Sequence, residues 1–345
     1  MTCKAILNNV HIHPTGTITP CCAWPADLAF DQAHILDQWQ QGIVPEGCTQ
    51  CVAKEVSGEH SLREYYNNLY EDNTHLQGVD ISVDNVCNLQ CLMCSSEYSH
   101  ACGAREQQFL GVRYNPNNTS RNTRYTQLDW THVKYIKLFG GEPTYSPGIK
   151  QFLTWADTHI DWKNIHVEIV TNGTRIPDAQ LDGVLRSAKH TRVVISQDGI
   201  EPVNQLIRQG TTPTDWTYWE SITDDRYINT AASIYNAPTL KLFEDTVRPG
   251  WRIHYEMVSS PAMLDLRNMP EDLKCLYVEH TIPEPVRIWM QQPGVDLFDQ
   301  FLAVHRAYNT LYNLNLAQAN PVLNQYIQQT NAAPADFDSI RKAYV

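Results

Sequence analysis

From residue 79 onward the chain repeats one pattern, in which a short apolar run is followed by a polar or glycine-containing turn and a longer helix-compatible segment. Such alternation is typical of βαβ units, whose strands pair in parallel. The predicted strands cover residues 79–83, 133–139, 165–170, 192–195, 252–258 and 275–278. Six parallel strands predict an α/β fold, a partial (β/α)6 barrel that resembles an opened TIM barrel.

Three other stretches differ from this repeat. Residues 60–78 are polar and helix-like, and we interpret them as a helical connector. Residues 211–251 are rich in Trp and Tyr and match no element. Apolar residues between 295 and 326 recur near helical spacing, which predicts helices that pack on the barrel. The predicted organisation is an N-terminal segment 1–59, the connector 60–78, the barrel 79–280 and a C-terminal helical segment 281–345.

The composition narrows the class of protein. The chain has 345 residues, 42% of them hydrophobic, and a net charge of -12, which argues against nucleic-acid binding through a broad basic surface. No apolar stretch is long enough for a signal peptide or a membrane helix, so we expect a cytoplasmic protein without a membrane partner. Ten cysteines in a reducing compartment favour metal or redox chemistry over disulfides.

Three of these cysteines follow the first predicted strand at close spacing. Cys87, Cys91 and Cys94 are separated by three and then two residues. Three thiolates on one loop can hold a cubane cluster and leave one iron open, which is the mark of a reactive metal site. One alternative is a zinc knuckle, which normally needs four ligands at paired CxxC spacing. The other is three buried structural cysteines, but a structural role does not explain why they are so closely spaced.

This loop resembles the signature of the radical S-adenosylmethionine (SAM) superfamily, which has the same spacing and a bulky residue, here Met93, before the last cysteine. The resemblance implies that Cys87, Cys91 and Cys94 ligate a 4Fe-4S cluster whose open iron binds SAM. It further implies reductive cleavage of SAM to a 5′-deoxyadenosyl radical, which abstracts hydrogen from a substrate.

Later strand ends carry turns that resemble further elements of this superfamily. They are Gly-Gly-Glu at 140–142, Thr-Asn-Gly at 171–173, Ser-Gln-Asp-Gly at 196–199 and Arg-Gln-Gly at 208–210. Each is an ordinary turn by itself, and Asn172 and Asp198 could simply shape their loops. The SAM-binding residues that the resemblance implies are Met93, Gly140, Gly141, Glu142, Asn172, Ser196, Asp198, Arg208 and, through backbone groups at the end of the fifth predicted strand, Val258.

A second group of cysteines lies near the N-terminus. A Cys3, Gly16 and Cys21 pattern is followed by the Cys48 and Cys51 pair, which a structural zinc site would also allow. The pattern resembles the opening of the SPASM or twitch module of radical SAM enzymes. That resemblance implies one auxiliary 4Fe-4S cluster held by Cys3, Cys21, Cys48 and Cys51, with Cys22 as an alternative to Cys21.

The resemblance makes a peptide or protein side chain the expected substrate, with flavodoxin or ferredoxin as electron donor. Because the sequence starts directly before Cys3, we expect no leader-peptide-binding domain, which weakens the case for a ribosomal peptide. The alternatives are a small metabolite, such as a sugar or nucleotide, and an inactive zinc-binding scaffold.

No catalytic side chain is assigned beyond the cluster and SAM. His11, His13 and Glu55 lie near the N-terminal cysteines, but solvated or capping roles are more common for such residues. The remaining cysteines, Cys102 and Cys275, have no partners at metal-binding spacing, and both are predicted to be buried structural residues.

Overall fold

Eight strands form the central sheet of the chain, in a computed structural model that describes residues 2–56, 60–110 and 122–330. Parts of the predicted segments 1–59, 79–280 and 281–345 lie outside the described residues, namely residues 1, 57–59, 111–121 and 331–345. The strands of this sheet are β1 (Asn9–Ile12), β2 (Ile18–Thr19), β3 (Gly78–Ile81), β5 (Tyr135–Leu138), β6 (His166–Thr171), β7 (His190–Ser196), β9 (Asp225–Ala232) and β10 (Arg252–Met257). Two short strands, β4 (Gln90–Cys91) and β8 (Arg208–Gln209), form a separate antiparallel pair.

The α-helices lie between and after these strands. They are α1 (Ala5–Asn8), α2 (Gln32–Gln40), α3 (Thr49–Val56), α4 (Leu62–Leu69), α5 (His100–Leu110), α6 (Pro147–Ala156), α7 (Ala179–Ser187), α8 (Val203–Ile207), α9 (Trp216–Glu220), α10 (Leu240–Thr246), α11 (Glu271–Val278), α12 (Glu284–Met290), α13 (Phe298–Tyr312), α14 (Leu316–Ala319) and α15 (Pro321–Gln329). No helix in the described part of the chain is long and apolar enough to cross a membrane.

The strand order in the sheet is β10-β9-β7-β6-β5-β3-β1-β2. Every neighbouring pair is parallel except β1 and β2, which pair antiparallel. The sheet is therefore mostly parallel, as expected for an α/β fold. The N-terminal β1 pairs along the whole of β3, so the first cysteine-bearing segment is hydrogen-bonded into the same sheet.

One face of the sheet is apolar and is covered by helices. Along β5 the side chains of Ile136 and Leu138 are buried, whereas those of Tyr135 and Lys137 between them are partly exposed. The buried set packs on residues of α6 and α7, among them Phe152 and Leu185. Burying such a side chain contributes about 1.5–3 kcal/mol, so this alternation fixes which way each strand faces.

The other face, which we call the polar face, carries a row of charges. The register places Asp80, Lys137, Glu168, Arg192 and Asp225 side by side on five adjacent strands. Their signs alternate along the row. Neighbours form ion pairs at 3.0 Å between Lys137 and Glu168, 3.5 Å between Arg192 and Glu168, and 2.8 Å between Arg192 and Asp225. These ion pairs compensate the free energy that burying the unpaired charges would cost.

Most of the predicted elements are confirmed, and two interpretations are corrected. The stretch 211–251, for which the sequence predicts no element, contains the strand β9. Residues 275–278, predicted as a strand, are the end of helix α11. The strand that ends before Val258 is therefore the sixth of the predicted barrel, and the fifth ends at Ala232. The predicted C-terminal helices are present as α13, α14 and α15.

Candidate functional site

The sequence motifs meet at one edge of the sheet. The cysteine loop (residues 84–94) follows β3, the Gly-Gly-Glu turn follows β5, Asn172 follows β6 and Ser196 ends β7. These strands are parallel neighbours, so their carboxyl ends lie at the same edge. Ligands of parallel α/β folds bind at this edge, which makes it the candidate site.

The cysteine loop is held by a strand pair that the sequence did not predict. Cys91 of β4 lies opposite Arg208 of β8, and the Leu92 amide donates to the Ile207 carbonyl at 2.9 Å. The Arg208 guanidinium lies 3.9 Å from the Cys91 Sγ and forms an ion pair of 2.9 Å with Asp198. A positive group is therefore fixed beside the middle thiol of the loop.

The three thiols of the loop are close together; Cys87 and Cys91 are buried and Cys94 is partly exposed. Burial raises the pKa of Cys87 to about 12 and that of Cys91 to about 11. A hydrogen bond with Cys102 raises the pKa of Cys94, and the nearby Cys91 and Cys87 raise it further. A metal centre that binds these thiolates must therefore displace their protons.

Cys102 of α5 is a fourth thiol beside this set. It is fully buried, as predicted, and its Sγ lies 3.8 Å from the Cys91 carbonyl oxygen. The hydrogen bond with Cys94 lowers the pKa of Cys102 to about 7. No spacing pattern predicts this contact, because it depends on how α5 packs against the loop. The other lone cysteine, Cys275, is exposed on α11, so its predicted burial is wrong.

The Gly-Gly-Glu turn packs directly against the cysteine loop. Gly140 has a φ of +117°, and a Cβ on Gly141 would lie 2.3 Å from the Val86 carbonyl oxygen. The Glu142 amide donates to that same oxygen at 2.9 Å. Both glycines are thus required by geometry, since a side chain would push the turn and the loop apart.

The carboxylate of Glu142 is fully buried and is bound by protein donors. Its Oε1 accepts from the Thr144 amide and hydroxyl and from the Thr171 hydroxyl, at 2.7–3.1 Å. Its Oε2 accepts from the Asn172 amide at 2.7 Å. Burial raises the pKa of Glu142, and these hydrogen bonds oppose the rise. The carboxylate therefore joins the end of β5 to the end of β6.

Other predicted site residues have structural partners here too. The Asn172 side-chain amide donates to Asn88 of the cysteine loop at 2.9 Å. Besides Arg208, Asp198 accepts from the Ala231 amide at 2.8 Å. The Val258 amide donates to the Ala232 carbonyl, so only its carbonyl remains to contact a ligand. Met93 packs against the thiol-bearing residues of the loop and the C-terminal core.

The N-terminal thiols form a second group. Cys3 and Cys48 are buried in a small core with Trp24 and Trp39, and Cys21 packs against it. The pKa of Cys3 rises to about 11 and that of Cys48 to about 12, chiefly through burial and further through neighbouring thiols of the group. Cys51 is among those neighbours for both, so the four thiols of the predicted set lie near one another.

Cys21 and Cys22 face different surroundings. Burial raises the pKa of Cys21, and the thiols of Cys22 and Cys3 raise it further. Burial raises the pKa of Cys22 to about 11, and the charges that act on this pKa are those of Lys137, Asp80 and Glu256 on the polar face. This orientation favours Cys21 as the member of the N-terminal group.

The two histidines of the N-terminal segment are buried near the same edge. The imidazole rings of His11 and His13 are 4.0 Å apart between centroids, and His13 Nδ1 lies 3.4 Å from Glu97, just after the cysteine loop. Neither ring nitrogen of His11 has a hydrogen bond of normal geometry. Glu55 forms a largely buried ion pair with Arg63. The expectation of solvated or capping roles is therefore wrong for Glu55 and for the two buried histidines.

A cavity of about 80 Å³ lies below the charge row, at the opposite ends of the strands. It is lined by Tyr65, Tyr66, Lys137, Glu168 and Arg192, among others. The ion pairs of the row already satisfy its charged walls. We therefore place the candidate site at the carboxyl edge of the sheet, where the thiols lie.

Among residues 2–56, 60–110 and 122–330, no three His, Cys, Asp or Glu side chains converge as the ligands of a single metal ion would. A cubane cluster does not require such convergence, because its thiolate ligands bind different iron atoms. The donor set of three thiols on one loop, with a guanidinium beside the middle one, fits a 4Fe-4S cluster.

Residues 81–220 match the sequence profile of the Radical SAM superfamily. The matched segment comprises 140 of the 345 residues. This similarity agrees with the prediction from the sequence, because the matched segment contains the cysteine loop and all the predicted SAM contacts except Val258.

Three similar proteins align with only part of this chain. A 7,8-dihydro-6-hydroxymethylpterin dimethyltransferase of Methanocaldococcus jannaschii is 24% identical over 131 residues, which are 38% of this chain and 24% of that protein. Native anSMEcpe with bound AdoMet and the Cp18Cys peptide is 17% identical, with a TM-score of 0.34 over 57% of this chain and 56% of that one. Streptococcus suis SuiB bound to S-adenosylmethionine is 14% identical, with a TM-score of 0.36 over 84% of this chain and 61% of SuiB. The chain thus spans about a quarter of the curated relative and less than two thirds of these two structures.

Proposed function

We propose that this chain is a radical SAM enzyme whose Cys87, Cys91 and Cys94 hold a 4Fe-4S cluster. The observation that carries the proposal is the placement of these three thiols on one loop at the carboxyl edge of a parallel sheet, inside the matched domain. When bound, the cluster supplies the electron that splits SAM into methionine and a 5′-deoxyadenosyl radical, which abstracts hydrogen from the substrate.

The surrounding residues hold the site in shape and exclude water from it. Cys87 and Cys91 are less than one tenth exposed. Gly140 and Gly141 let the turn after β5 lie against the loop. Arg208, anchored by Asp198, fixes a positive charge beside Cys91. Such preorganised groups need no rearrangement during the reaction.

The proposed SAM contacts follow from this arrangement. Because the Glu142 carboxylate is occupied by protein donors, we assign the methionine ammonium to the backbone of Gly140 and Gly141. The other proposed contacts are Met93, Asn172, Ser196, Arg208 and the carbonyl of Val258. Asp198 acts through Arg208, whose guanidinium it orients.

An open barrel is the proposed form of the sheet. Cys22 is influenced by Asp80 of β3 and by Glu256 of β10, strands that are far apart in the sheet order. Lys54 of α3 also reaches Glu256, at 3.0 Å. These electrostatic interactions support a sheet curved around its polar face, and helices cover the opposite face, as they do in such barrels.

The N-terminal thiols Cys3, Cys21, Cys48 and Cys51 are proposed to hold one auxiliary 4Fe-4S cluster in a module of the SPASM or twitch type. Four thiolates fill every iron of such a cluster, which suits electron transfer better than substrate binding. The proposed organisation of the chain is this N-terminal module at 1–59, a helical connector at 60–78, the barrel at 79–280 and a C-terminal helical segment at 281–345. The proposed substrate is a peptide or protein side chain, and the electron donor a flavodoxin or ferredoxin.

The test is anaerobic purification with iron, sulfide and zinc analysis, followed by incubation with dithionite and SAM. We expect about eight irons per chain, from two cubanes, and formation of 5′-deoxyadenosine. Cys91→Ala abolishes deoxyadenosine, whereas the matched control Cys275→Ala, on the exposed face of α11, behaves as the wild type. Zinc without iron, or equal deoxyadenosine from the Cys91 variant, contradicts the proposal.

A further inference from the structure

The cysteine loop is held from its outer side by one buried arginine. Arg105 of α5 is 3% exposed, and its guanidinium donates to the carbonyl of Cys91 at 2.9 Å and to that of Cys94 at 2.6 Å. A third, longer contact of 3.4 Å reaches the carbonyl of Gln90. The fork geometry of a guanidinium suits several acceptors at once, so one side chain fixes the backbone at two proposed cluster ligands.

The C-terminal helix α13 completes this support. The Arg105 guanidinium lies over the ring of Tyr308, 4.9 Å from its centroid, and the Tyr308 hydroxyl donates to the Leu92 carbonyl at 3.2 Å. The Tyr312 hydroxyl donates to the Gln90 side chain at 2.6 Å. Helices α5 and α13 therefore bind groups of Gln90, Cys91, Leu92 and Cys94 from the outer side of the loop.

The charge of Arg105 also reaches the thiols. Its guanidinium donates to the carbonyls of Cys91 and Cys94, two residues whose thiols are proposed cluster ligands. Reduction adds one negative charge to a cluster, and a nearby cation stabilises the product of that step more than the reactant. The potential of an iron-sulfur cluster depends on charge, hydrogen bonding and exposure in this way.

We propose that Arg105 is a positioning residue of the cysteine loop and that, seated on Tyr308, it makes the cluster of that loop easier to reduce. This inference rests on the proposed function, since it needs a cluster on Cys87, Cys91 and Cys94. It assigns a role in the redox step to α13, an element that lies outside the matched domain.

The test is a redox titration followed by electron paramagnetic resonance, using the signal that changes when SAM is added. At the potential where the wild-type cluster is half reduced, we expect Arg105→Gln to lower the ratio of reduced to oxidised cluster about tenfold, a midpoint shift of about 59 mV. Arg105→Lys keeps the charge and should stay near the wild-type midpoint. Arg186→Gln, which removes a surface arginine of α7, is the control and leaves the midpoint unchanged.

Each outcome decides the proposal. A wild-type midpoint in Arg105→Gln, or equal shifts in the Gln and Lys variants, overturns it. If Arg105→Gln fails to hold iron, Tyr308→Leu replaces it, because that variant removes the ring under the guanidinium; a smaller shift in the same direction supports the proposal, and an unchanged midpoint overturns it. If the wild type shows no paramagnetic signal that changes on adding SAM, the proposed function itself is wrong.

Discussion

Cys91 lies directly opposite Arg208 in a two-residue antiparallel ladder, although 117 positions separate them in the chain. The ladder joins the cysteine loop to the turn after α8. Arg208 is in turn held by the fully buried carboxylate of Asp198. The charge beside the middle thiol is thus supported by a buried ion pair.

Asp198→Asn should therefore destabilise the fold. The change leaves the Arg208 guanidinium buried without its counter-charge, which costs about 3–5 kcal/mol. Urea unfolding under anaerobic conditions measures the loss. Asp245→Asn is the control, because Asp245 pairs with Lys241 at the surface and its removal should cost less than about 1 kcal/mol. Equal small losses in the two variants would show that the buried pair has no special importance.

A methyl group at Gly141 should separate the turn after β5 from the cysteine loop. Its Cβ would lie 2.3 Å from the Val86 carbonyl oxygen, a backbone atom that cannot rotate away. We expect Gly141→Ala to lose about 1–3 kcal/mol of stability and to bind SAM more weakly, as measured by unfolding and by equilibrium dialysis.

The matched control is Gly183→Ala in helix α7, where no atom lies within 4 Å of the added methyl group. That variant should gain about 0.5–1 kcal/mol, because alanine favours the helix over glycine. Comparable behaviour of the two alanine variants would contradict the close approach of turn and loop.

The neighbouring cysteines Cys21 and Cys22 offer a test of the proposed auxiliary cluster. Cys21 faces Cys3 and its group, whereas Cys22 faces the charges of the polar face. We expect Cys21→Ser to lose about four irons per chain and Cys22→Ser to keep them. The measurement is iron content after anaerobic reconstitution. The reverse result would assign the ligand to Cys22.

His305 should make stability depend on pH. Burial, and to a smaller degree Arg306, lower the pKa of His305 from 6.5 to about 4, and its Nδ1 lies 3.2 Å from the Tyr235 hydroxyl. As the pH falls below 6.5, the unfolded chain binds a proton that the folded chain excludes. The contribution of His305 is therefore complete above pH 6.5 and is lost towards pH 4, by about 3 kcal/mol in all.

Unfolding of His305→Gln and of the wild type at both ends of this range checks the effect. The variant should lose less stability on acidification than the wild type. His60→Gln, at a fully exposed position, should follow the wild type. Parallel curves for all three proteins would show that His305 does not cause the dependence.

The sequence predicts the strands that carry apolar runs and the loop that carries the thiols. It fails for β9, because Asp225–Ala232 mixes charged and small residues and only Ile228, Thr230 and Ala232 are buried. It also fails for α11, where the apolar run 275–278 predicts a strand but forms the end of a helix. Leu273 and Tyr277 are buried four positions apart on one helix face, which is a helical period.

Long-range contacts explain what else the sequence could not predict. The pairing of Cys91 with Arg208 and the support from Arg105 and Tyr308 depend on which segments fold together, and no local pattern encodes them. The same holds for Glu142. The sequence predicts its position after β5, but its four hydrogen-bond donors come from the turn itself and from the end of β6.

Residues 9–12 run hydrogen-bonded along residues 78–81, and this joins the N-terminal thiols to the strand that leads into the cysteine loop. A flexible tether would let the span between the two thiol groups fluctuate. A backbone ladder holds that span constant, so an electron passing between the two proposed clusters would meet a tunnelling barrier of one width in every turnover.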